Sequence, residues 1–385
     1  MTEFVLPPLS LYIHIPWCVQ KCPYCDFNSH TQKGIIPEVE YIRHLIFDLT
    51  NDLKKYQIST RQRFLHSIFI GGGTPSLFSA ENIAFLLTEI QRRIPFSPDI
   101  EITLEANPGT VEAERFKGYV NAGVNRISMG IQSFDDDKLH RLGRIHNSRE
   151  AKSAVDFARV SGLQSFNLDL MHGLPNQTLT QALDDLRQAI RLKPPHLSWY
   201  QLTIEPNTMF AYRPPQLPND DELWDIFEQG HKLLTQAGYQ QYETSAYAKP
   251  GYQCRHNLNY WRFGDYLAIG CGAHGKISFI NGEIIRYSKT KHPKGYMRGE
   301  YLYEEKNVPK IDRTFEFFMN RFRLLEPVPK QEFEQLTGLS QHSVKNQIDF
   351  AVAQNYLFDN EQYWQITERG KLFLNELLAL FLPDE

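Results

Sequence analysis

The chain alternates between short apolar runs, rich in β-branched and aromatic residues, and longer segments with helical periodicity. Such runs predict buried strands, and apolar residues spaced three to four apart predict helices. The predicted strands are Leu11–Ile15, Ile68–Gly71, Glu101–Glu105, Arg126–Gly130, Phe166–Leu170 and Leu197–Leu202. The predicted helices are Glu38–Lys55, Ala80–Arg93, Glu112–Ala122, Arg149–Ser161, Leu179–Leu192 and Asp221–Ala237. Ser79 and Ser148 are the expected N-caps of two of these helices.

Six successive strand–helix units predict a parallel sheet with helices packed outside it, because right-handed crossovers leave few other topologies. We therefore expect an α/β fold, with a partial (β/α)6 barrel over residues 1–240. Residues 241–300 are predicted to connect this barrel to a small α+β domain, residues 301–385, with the element order of a winged helix. Its expected elements are helices at 314–324, 330–336 and 343–354, a strand pair near 357–366 and a last helix from Glu368.

Composition narrows the class of protein without identifying it. A chain of 385 residues with 42% hydrophobic residues and a net charge of −4 is typical of a globular protein with more than one core. Residues 306–385 hold 9 Lys or Arg against 12 Asp or Glu, which is the wrong sign for binding nucleic acid. The most apolar segment, Leu372–Leu382, is too short to span a membrane; it is predicted to be a packed helix, with a membrane-surface helix as the alternative.

Three cysteines lie close together near the N-terminus in the pattern C-x3-C-x2-C: Cys18, Cys22 and Cys25. A [4Fe-4S] cluster held by three thiolates keeps one iron open, and the amino and carboxylate groups of S-adenosylmethionine (SAM) can chelate such an iron. An electron passed from the cluster to the sulfonium would then cleave a C–S bond and release a 5′-deoxyadenosyl radical.

Zinc and disulfides are the alternative roles for these cysteines. His14, His30 or Asp26 could supply a fourth zinc ligand, so a zinc site stays open. A disulfide framework fits less well, because the chain has five cysteines and its first residues lack the features of a signal peptide. Reduced thiols indicate a cytoplasmic location, with peripheral attachment to a membrane left open.

Polar residues and glycines follow the predicted strands at their carboxyl ends, where parallel α/β folds gather their reacting groups. Each has an ordinary explanation on its own: Gly71–Thr74 as a tight turn, and Glu105 or Asp169 as a helix cap or ion-pair partner. Together they suit SAM, because glycines allow a ligand to approach the backbone and carboxylates accept hydrogen bonds from ribose hydroxyls. Gln132 and Arg144 are candidates for contacts with the ribose and the methionine carboxylate.

Five segments, in order, resemble the HemN/HemW branch of the radical SAM superfamily: Tyr12–Cys18, Gly71–Ser76, Ser128–Phe134, Leu142–His146 and Asn167–Pro175. The resemblance extends over nearly the whole chain, and residues 301–385 resemble the HemN C-terminal domain. It implies that Cys18, Cys22 and Cys25 bind the [4Fe-4S] cluster, with SAM as an exchangeable ligand. It further implies SAM contacts from Tyr12, Gly72, Gly73, Thr74, Glu105, Gln132, Arg144 and Asp169.

Two functions occur in that branch, haem chaperones and oxygen-independent coproporphyrinogen III dehydrogenases. The dehydrogenases carry a fourth cysteine where this chain has Phe27, and an N-terminal arm for which seventeen residues before Cys18 leave no room. The segment His256–Trp261 matches an H-N-x-x-Y-W element that the resemblance links with haem. From the residues alone, the favoured explanation is instead that His256 is a hydrogen-bonded structural histidine and that Tyr260 and Trp261 belong to the core. Cys254 is a weaker ligand candidate. The resemblance therefore favours the haem chaperones.

The expected ligands and partners are haem, SAM and haem-accepting proteins, membrane-bound ones among them, with no nucleic acid. A homodimer is also compatible with the sequence. Catalysis stays open, because the chaperone reading implies no coproporphyrinogen dehydrogenase activity. The alternatives are a decarboxylating dehydrogenase and a non-catalytic interaction protein that holds zinc.

Overall fold

A computed structural model describes residues 4–31, 34–109 and 115–383. Its strands are β1 Leu9–Ile15, β2 Trp17–Cys18, β3 His30–Thr31, β4 Leu65–Gly72, β5 Phe96–Ala106, β6 Arg126–Gln132, β7 Ser165–His172, β8 His196–Gln201, β9 Gln240–Glu243, β10 Ala246–Ala248, β11 Asp265–Ile269, β12 His274–Ser278, β13 Ile284–Lys289, β14 Leu302–Asn307, β15 Val328–Pro329, β16 Leu357–Asp359 and β17 Tyr363–Ile366.

Helices pack between and outside these strands. They are α1 Glu38–Lys55, α2 Ala80–Gln91, α3 Phe116–Asn121, α4 Asp136–Arg141, α5 Ser148–Val160, α6 Leu179–Arg191, α7 Met209–Tyr212, α8 Asp220–Gln236, α9 Arg255–Trp261, α10 Pro293–Tyr296, α11 Lys310–Arg321, α12 Lys330–Thr337, α13 Lys345–Ala353, α14 Glu368–Leu372 and α15 Leu374–Ala379. Two short 3₁₀ helices lie at Pro75–Leu77 and Gln341–Val344.

The six predicted barrel strands are β1, β4, β5, β6, β7 and β8, and they stand side by side in that order within one sheet. Every neighbouring pair among them is parallel. Their carboxyl ends therefore share one rim, as expected for a partial (β/α)6 barrel. The prediction of the barrel is confirmed.

Residues 241–300 extend the same sheet, which the sequence did not predict. Strand β11 pairs in parallel with β1 on the side away from β4, and β12, β13 and β14 continue the sheet in antiparallel pairing. The short strands β10 and β9 close the other edge, beyond β8. Helix α9 packs against β1, β4 and β11. The sheet thus continues past the six barrel strands at both of its edges.

Of the two predicted N-caps, Ser79 is confirmed and Ser148 is wrong. Ser79 caps α2, because its hydroxyl accepts the Asn82 N–H. The N-cap of α5 is Asn147 rather than Ser148: its side chain accepts the Glu150 N–H, and the Glu150 carboxylate accepts the Asn147 N–H. The capping box requires an acceptor three residues before Glu150, and Ser148 is too close.

The predicted helix Glu112–Ala122 begins outside the described residues. Its described part is α3, Phe116–Asn121, which ends one residue before Ala122. Phe116 and Tyr119 are buried there against the main core. This part of the prediction therefore agrees with the structure.

The C-terminal residues form a second core beside the barrel. Phe317, Phe318, Phe333 and Trp364 pack together there, and β15, β17 and β16 form a three-stranded sheet over them. The apolar segment Leu372–Leu382 is divided between α14 and α15, and it buries Leu377 and Phe381 in this core. Among the helices of the described residues, none has the length and apolar character needed to cross a bilayer.

Candidate active-site and haem-linked cavities

The three cysteines lie on a loop that leaves β1 at the rim of the barrel. The loop is closed at its base, where the His30 N–H donates to the Pro16 carbonyl over 2.7 Å and β2 pairs with β3. All three thiols are free of disulfides. Cys18 is buried, whereas Cys22 and Cys25 are partly exposed. The loop therefore presents three unlinked thiols without using them to hold the core together.

The glycine run after β4 fixes this loop to the barrel. The Gly73 N–H donates to the Ile15 carbonyl over 2.7 Å, and the Thr74 N–H donates to the Trp17 carbonyl over 2.8 Å. Gly72 has a φ of 112°, and a Cβ atom there would lie 2.5 Å from the His14 ring. No other residue fits at Gly72 without moving His14, so the run is more than a permissive turn.

A cavity of about 520 Å³, here called the cluster cavity, lies between the cysteine loop and the rim of the sheet. Ligand pockets typically have volumes of about 300–1,000 Å³, so a molecule such as SAM is of suitable size. The cavity brings together most of the predicted site residues: Cys18, Cys22, Cys25, Gly72, Gly73, Thr74, Glu105, Gln132, Arg144 and Asp169. It does not include Tyr12 or His256.

Two partly buried carboxyl groups, those of Glu105 and Asp169, line this cavity. Glu105 accepts the Gly72 N–H over 3.0 Å; burial, and then the charge of Asp169, raise its pKa to about 8. Asp169 accepts hydrogen bonds from Ser128 Oγ at 3.0 Å and Asn167 Nδ2 at 2.9 Å, and burial raises its pKa as well. A cationic ligand would offset the cost of ionising both groups in one buried site. The sulfonium group of SAM has the required charge.

Arg144 holds one wall of the cluster cavity in place. Its Nη2 donates to Asn107 Oδ1 at 2.7 Å and to the Gly130 carbonyl at 2.9 Å, and its Nη1 lies 3.7 Å from Cys22 Sγ. Asn107 was not among the predicted site residues, although its position directly after β5 placed it at the rim. A guanidinium beside a cysteine sulfur suits a site that holds thiolates, because it stabilises their negative charge.

The geometry of the thiols bears on the choice of metal. Across the part of the chain that the structure describes, no three His, Cys, Asp or Glu side chains are grouped closely enough to hold a single metal ion. A zinc site would need such a group. A cubane cluster instead accepts its thiolates at separate corners, and the three cysteines lining one cavity fit that arrangement.

A second cavity, of about 720 Å³, opens beside the first and is here called the lateral cavity. The two share the wall formed by the cysteine loop, Gly72 and Glu105, including Cys25 and Phe27. Tyr12 lies in the lateral cavity, where its hydroxyl is 3.0 Å from His14 Nδ1, whereas the other predicted SAM residues line the cluster cavity. His14, Tyr266 and His274 also line it and were not predicted as site residues.

His256 reaches the lateral cavity from the first turn of α9. Residues four apart share a helix face, so His256 and Tyr260 both line the cavity, while Trp261 turns away and packs 4.4 Å beneath the Arg323 guanidinium. Trp261 therefore does not line the lateral cavity. Cys254, the weaker ligand candidate, faces Glu101 instead, with Sγ 3.4 Å from Oε1.

The protonation and hydrogen bonds of His256 suit a metal ligand. Burial, and then the Arg126 charge, lower its pKa to about 3, so the imidazole is neutral at physiological pH. Nδ1 lies 3.0 Å from Ser67 Oγ, which orients the ring, and Nε2 has no hydrogen-bond partner among the described residues. Neutral imidazole oriented through one nitrogen leaves the other free to bind a metal.

Comparison with known proteins defines the class. Residues 12–189 match the Radical SAM superfamily, and residues 308–373 match the HemN C-terminal domain. Among solved structures, coproporphyrinogen III oxidase (HemN) from Escherichia coli, described as a radical SAM enzyme, superposes with a TM-score of 0.81 over 98% of this chain and 90% of that one. At 22% identity this likeness shows the fold alone. The chain has the fold of a radical SAM protein with a HemN-type C-terminal domain.

Relatives of higher identity define the family. The chain is 80% identical to the heme chaperone HemW of Haemophilus influenzae over 99% of both chains, and 65% identical to that of Escherichia coli over 98% of this chain and 99% of its relative. It is 35% identical to the heme chaperone HemW of Bacillus subtilis, over 97% of this chain and 99% of the other. The chain belongs to the HemW family of the radical SAM superfamily. Membership of that superfamily implies a [4Fe-4S] cluster and SAM.

The two partly buried carboxyl groups give a testable prediction for SAM binding. Glu105→Gln or Asp169→Asn should weaken SAM affinity about ten- to a hundredfold without removing iron, because a charge-assisted hydrogen bond contributes about 1.5–3 kcal/mol. Ionised Glu105 is the form that favours a cation, so SAM affinity should rise as pH rises through about 8 and fall below it. Isothermal titration across this pH range measures both effects.

Glu89→Gln is the matched control, because Glu89 pairs with Arg92 and Arg93 on the far side of α2, away from both cavities. It should leave SAM affinity and its pH dependence unchanged. Unaltered SAM affinity in both the Glu105 and Asp169 variants would return these residues to purely structural roles.

Proposed function

We propose that this chain is a haem chaperone that binds haem in the lateral cavity, next to a SAM-loaded [4Fe-4S] cluster, and delivers it to haem-dependent proteins. The observation that carries the proposal is the position of His256. His256 lines a cavity that is also lined by aromatic rings and shares a wall with the cysteine loop, and its Nδ1 is the nitrogen engaged by Ser67. An axial imidazole and flat apolar surface are what a porphyrin site requires.

The same proposal assigns the cluster cavity. Cys18, Cys22 and Cys25 would hold the cluster, which when bound supplies an electron donor and an open iron for SAM. Gly72, Gly73 and Thr74 would contact the methionine end of SAM, while Glu105, Gln132, Arg144 and Asp169 would orient its polar groups. Tyr12 would act from the lateral side, through its hydrogen bond to His14.

Delivery of haem to other proteins requires a site that a partner can approach. Tyr260 and His274 line the lateral cavity near exposed residues of the cysteine loop, among which the side chain of Phe27 is 62% exposed. We include haem-accepting proteins as partners on this ground, membrane-bound ones among them, and a cytoplasmic location from which the chain attaches to a membrane at most peripherally. A homodimer would be compatible with this arrangement.

Haem titration and a coproporphyrinogen III assay on the same cluster-loaded sample test the proposal. A haem chaperone should bind about one haem per chain and should form no protoporphyrinogen when SAM and a reductant are present. The rival function, oxidative decarboxylation of propionates, predicts turnover in the second assay. Sustained formation of protoporphyrinogen by the unaltered protein would replace the chaperone assignment with the dehydrogenase.

A further inference from the structure

The lateral cavity is aromatic in its inner part and cationic at its mouth. Its inner part is lined by the neutral imidazole of His256 and by the rings of Tyr12, Tyr260 and Tyr266. Two lysines, Lys21 and Lys291, line the mouth, and both are exposed. A cavity with apolar depth and cationic groups at its opening suits a flat ligand that carries its negative charge along one edge.

Neither lysine is paired with a carboxylate in the described residues. Lys21 Nζ donates to two main-chain carbonyls, those of Phe27 at 3.3 Å and Ser29 at 3.4 Å. Lys291 Nζ lies 5.9 Å from the centre of the Tyr303 ring. The two buried lysines of the adjoining strands differ, because Lys276 pairs with Asp265 and Lys289 with Asp48 and Asp52. The two ammonium groups at the mouth thus keep hydrogen-bonding capacity for a ligand.

Hydrogen bonds hold the backbone of Lys291 against the cysteine loop, to which Lys21 belongs. The Lys291 carbonyl accepts hydrogen bonds from Asn28 Nδ2 at 3.0 Å and His30 Nε2 at 3.2 Å. The Lys21 ammonium donates to carbonyls of the same loop, within residues 27–29. Two carboxyl groups also line the cavity: Asp26 is exposed at the mouth, whereas Glu105 is less exposed and accepts the Gly72 N–H. The exposed rim, with two lysines and one aspartate, therefore has a net positive charge.

We propose that Lys21 and Lys291 form a carboxylate-binding rim that receives the two propionates of haem while the macrocycle enters the lateral cavity. The proposal rests on the haem-binding function above and adds the orientation of the ligand. The propionate edge faces the mouth and the opposite edge enters the cavity, where His256 would approach the iron from one face of the macrocycle. A haem held in this way keeps its charged edge accessible to an acceptor protein.

A comparison of haem with its dimethyl ester, in which both propionates are neutral, distinguishes direct propionate binding by the two lysines from a general effect on protein stability. Lys21→Gln with Lys291→Gln removes two exposed ion pairs with the ligand, so it should weaken haem binding about tenfold. The ester should bind the unaltered protein about tenfold more weakly than haem, and the double variant should bind it with no further loss. That non-additivity is the signature of a direct contact.

Four further measurements complete the experiment. Lys294→Gln alters an exposed lysine three residues from Lys291 that does not line the cavity, and it should change nothing. Because Lys21 lies between two cluster cysteines, iron and sulfide content must be measured in every sample, and it should be equal in all of them. The Soret maximum should stay in place in the lysine variants, because the lysines contact the propionates and not the iron. Higher ionic strength should weaken haem binding in the unaltered protein more than in the double variant.

The outcomes separate this inference from the function on which it rests. Equal losses for haem and ester in the double variant, or no loss for either, would overturn the propionate rim while leaving haem binding intact. Absence of any haem binding by the unaltered, cluster-loaded protein would overturn the chaperone function and the rim together.

Discussion

Replacing Cys22 by serine is expected to abolish assembly of the [4Fe-4S] cluster while the barrel stays folded. Cys22 lies on a partly exposed loop, and its hydrogen-bond partners within the described residues are the Gly143 carbonyl, 3.9 Å from Sγ, and Arg144 Nη1, 3.7 Å from Sγ. Loss of one of three thiolates leaves too few ligands for the cluster, whereas no core side chain depends on this sulfur. Iron and sulfide analysis after anaerobic reconstitution, with far-UV circular dichroism, measures both parts.

Cys271→Ser is the matched control for that variant. Cys271 is buried outside the cluster cavity, where its Sγ donates to the Lys291 carbonyl over 2.8 Å, and a serine hydroxyl can make the same hydrogen bond. This variant should retain full iron content. Close to four irons per chain in Cys22→Ser would show that the three-cysteine assignment is wrong.

Replacing His256 by alanine should lower haem affinity at least about tenfold or shift the Soret band, because removal of an axial imidazole opens a coordination site on the iron. The low pKa of His256, about 3, keeps the ring neutral across pH 5–8. Haem affinity of the unaltered protein should therefore not depend on protonation of this residue in that range. Absorbance titration with haem measures affinity and spectrum together.

His256→Gln guards against simple unfolding, because a glutamine amide can still reach Ser67, which is 3.0 Å from His256 Nδ1 in the native protein. His274→Ala provides the comparison within the same cavity, since His274 is exposed there. An unchanged haem spectrum in the His256 variants, with an altered one in His274→Ala, would move the iron ligand to His274 and contradict the present assignment.

The barrel was predictable because its signals are local and repeat. Each of the six units joins an apolar strand to an amphipathic helix, and five of the six strands agree with the prediction except that the sequence underestimated their length, as with β5, Phe96–Ala106. Strand ends are weakly marked when polar residues continue in extended conformation. The cap of α5 illustrates a related limit, because Asn147 and Ser148 are both good N-caps, and only the reciprocal contact with Glu150 distinguishes them.

The sheet extension was not predictable from the same signals. Strand β11, Asp265–Ile269, is short and lies in a segment without a following helix, so it has no strand–helix pattern to reveal it. Its place beside β1 depends on contacts between residues more than 250 positions apart, such as Leu11 with Leu267. Pairings of this kind are set by tertiary packing rather than by local propensity.

The two cavities of the candidate site also differ in how far the sequence could predict them. The residues of the cluster cavity follow consecutive strands, so the shared rim of a parallel sheet predicted that they would meet. The lateral cavity is assembled from β1, α9, β11 and β12, which are remote in sequence, and nothing local indicated that Tyr12 would line the same cavity as His256 and not the cluster cavity. Helical periodicity of α9 could have separated Tyr260 from Trp261, since His256 and Tyr260 are four residues apart.

The most direct test of the central claim is transfer of haem from the cluster-loaded protein to a haem-free acceptor such as apomyoglobin, followed by the absorption spectrum of the acceptor. A chaperone should transfer haem to the acceptor faster than haem dissociates spontaneously from the protein. The rate of spontaneous dissociation is measured separately with an excess of an apolar haem scavenger. Haem that remains bound, or reaches the acceptor only at the rate of free dissociation, would contradict the account.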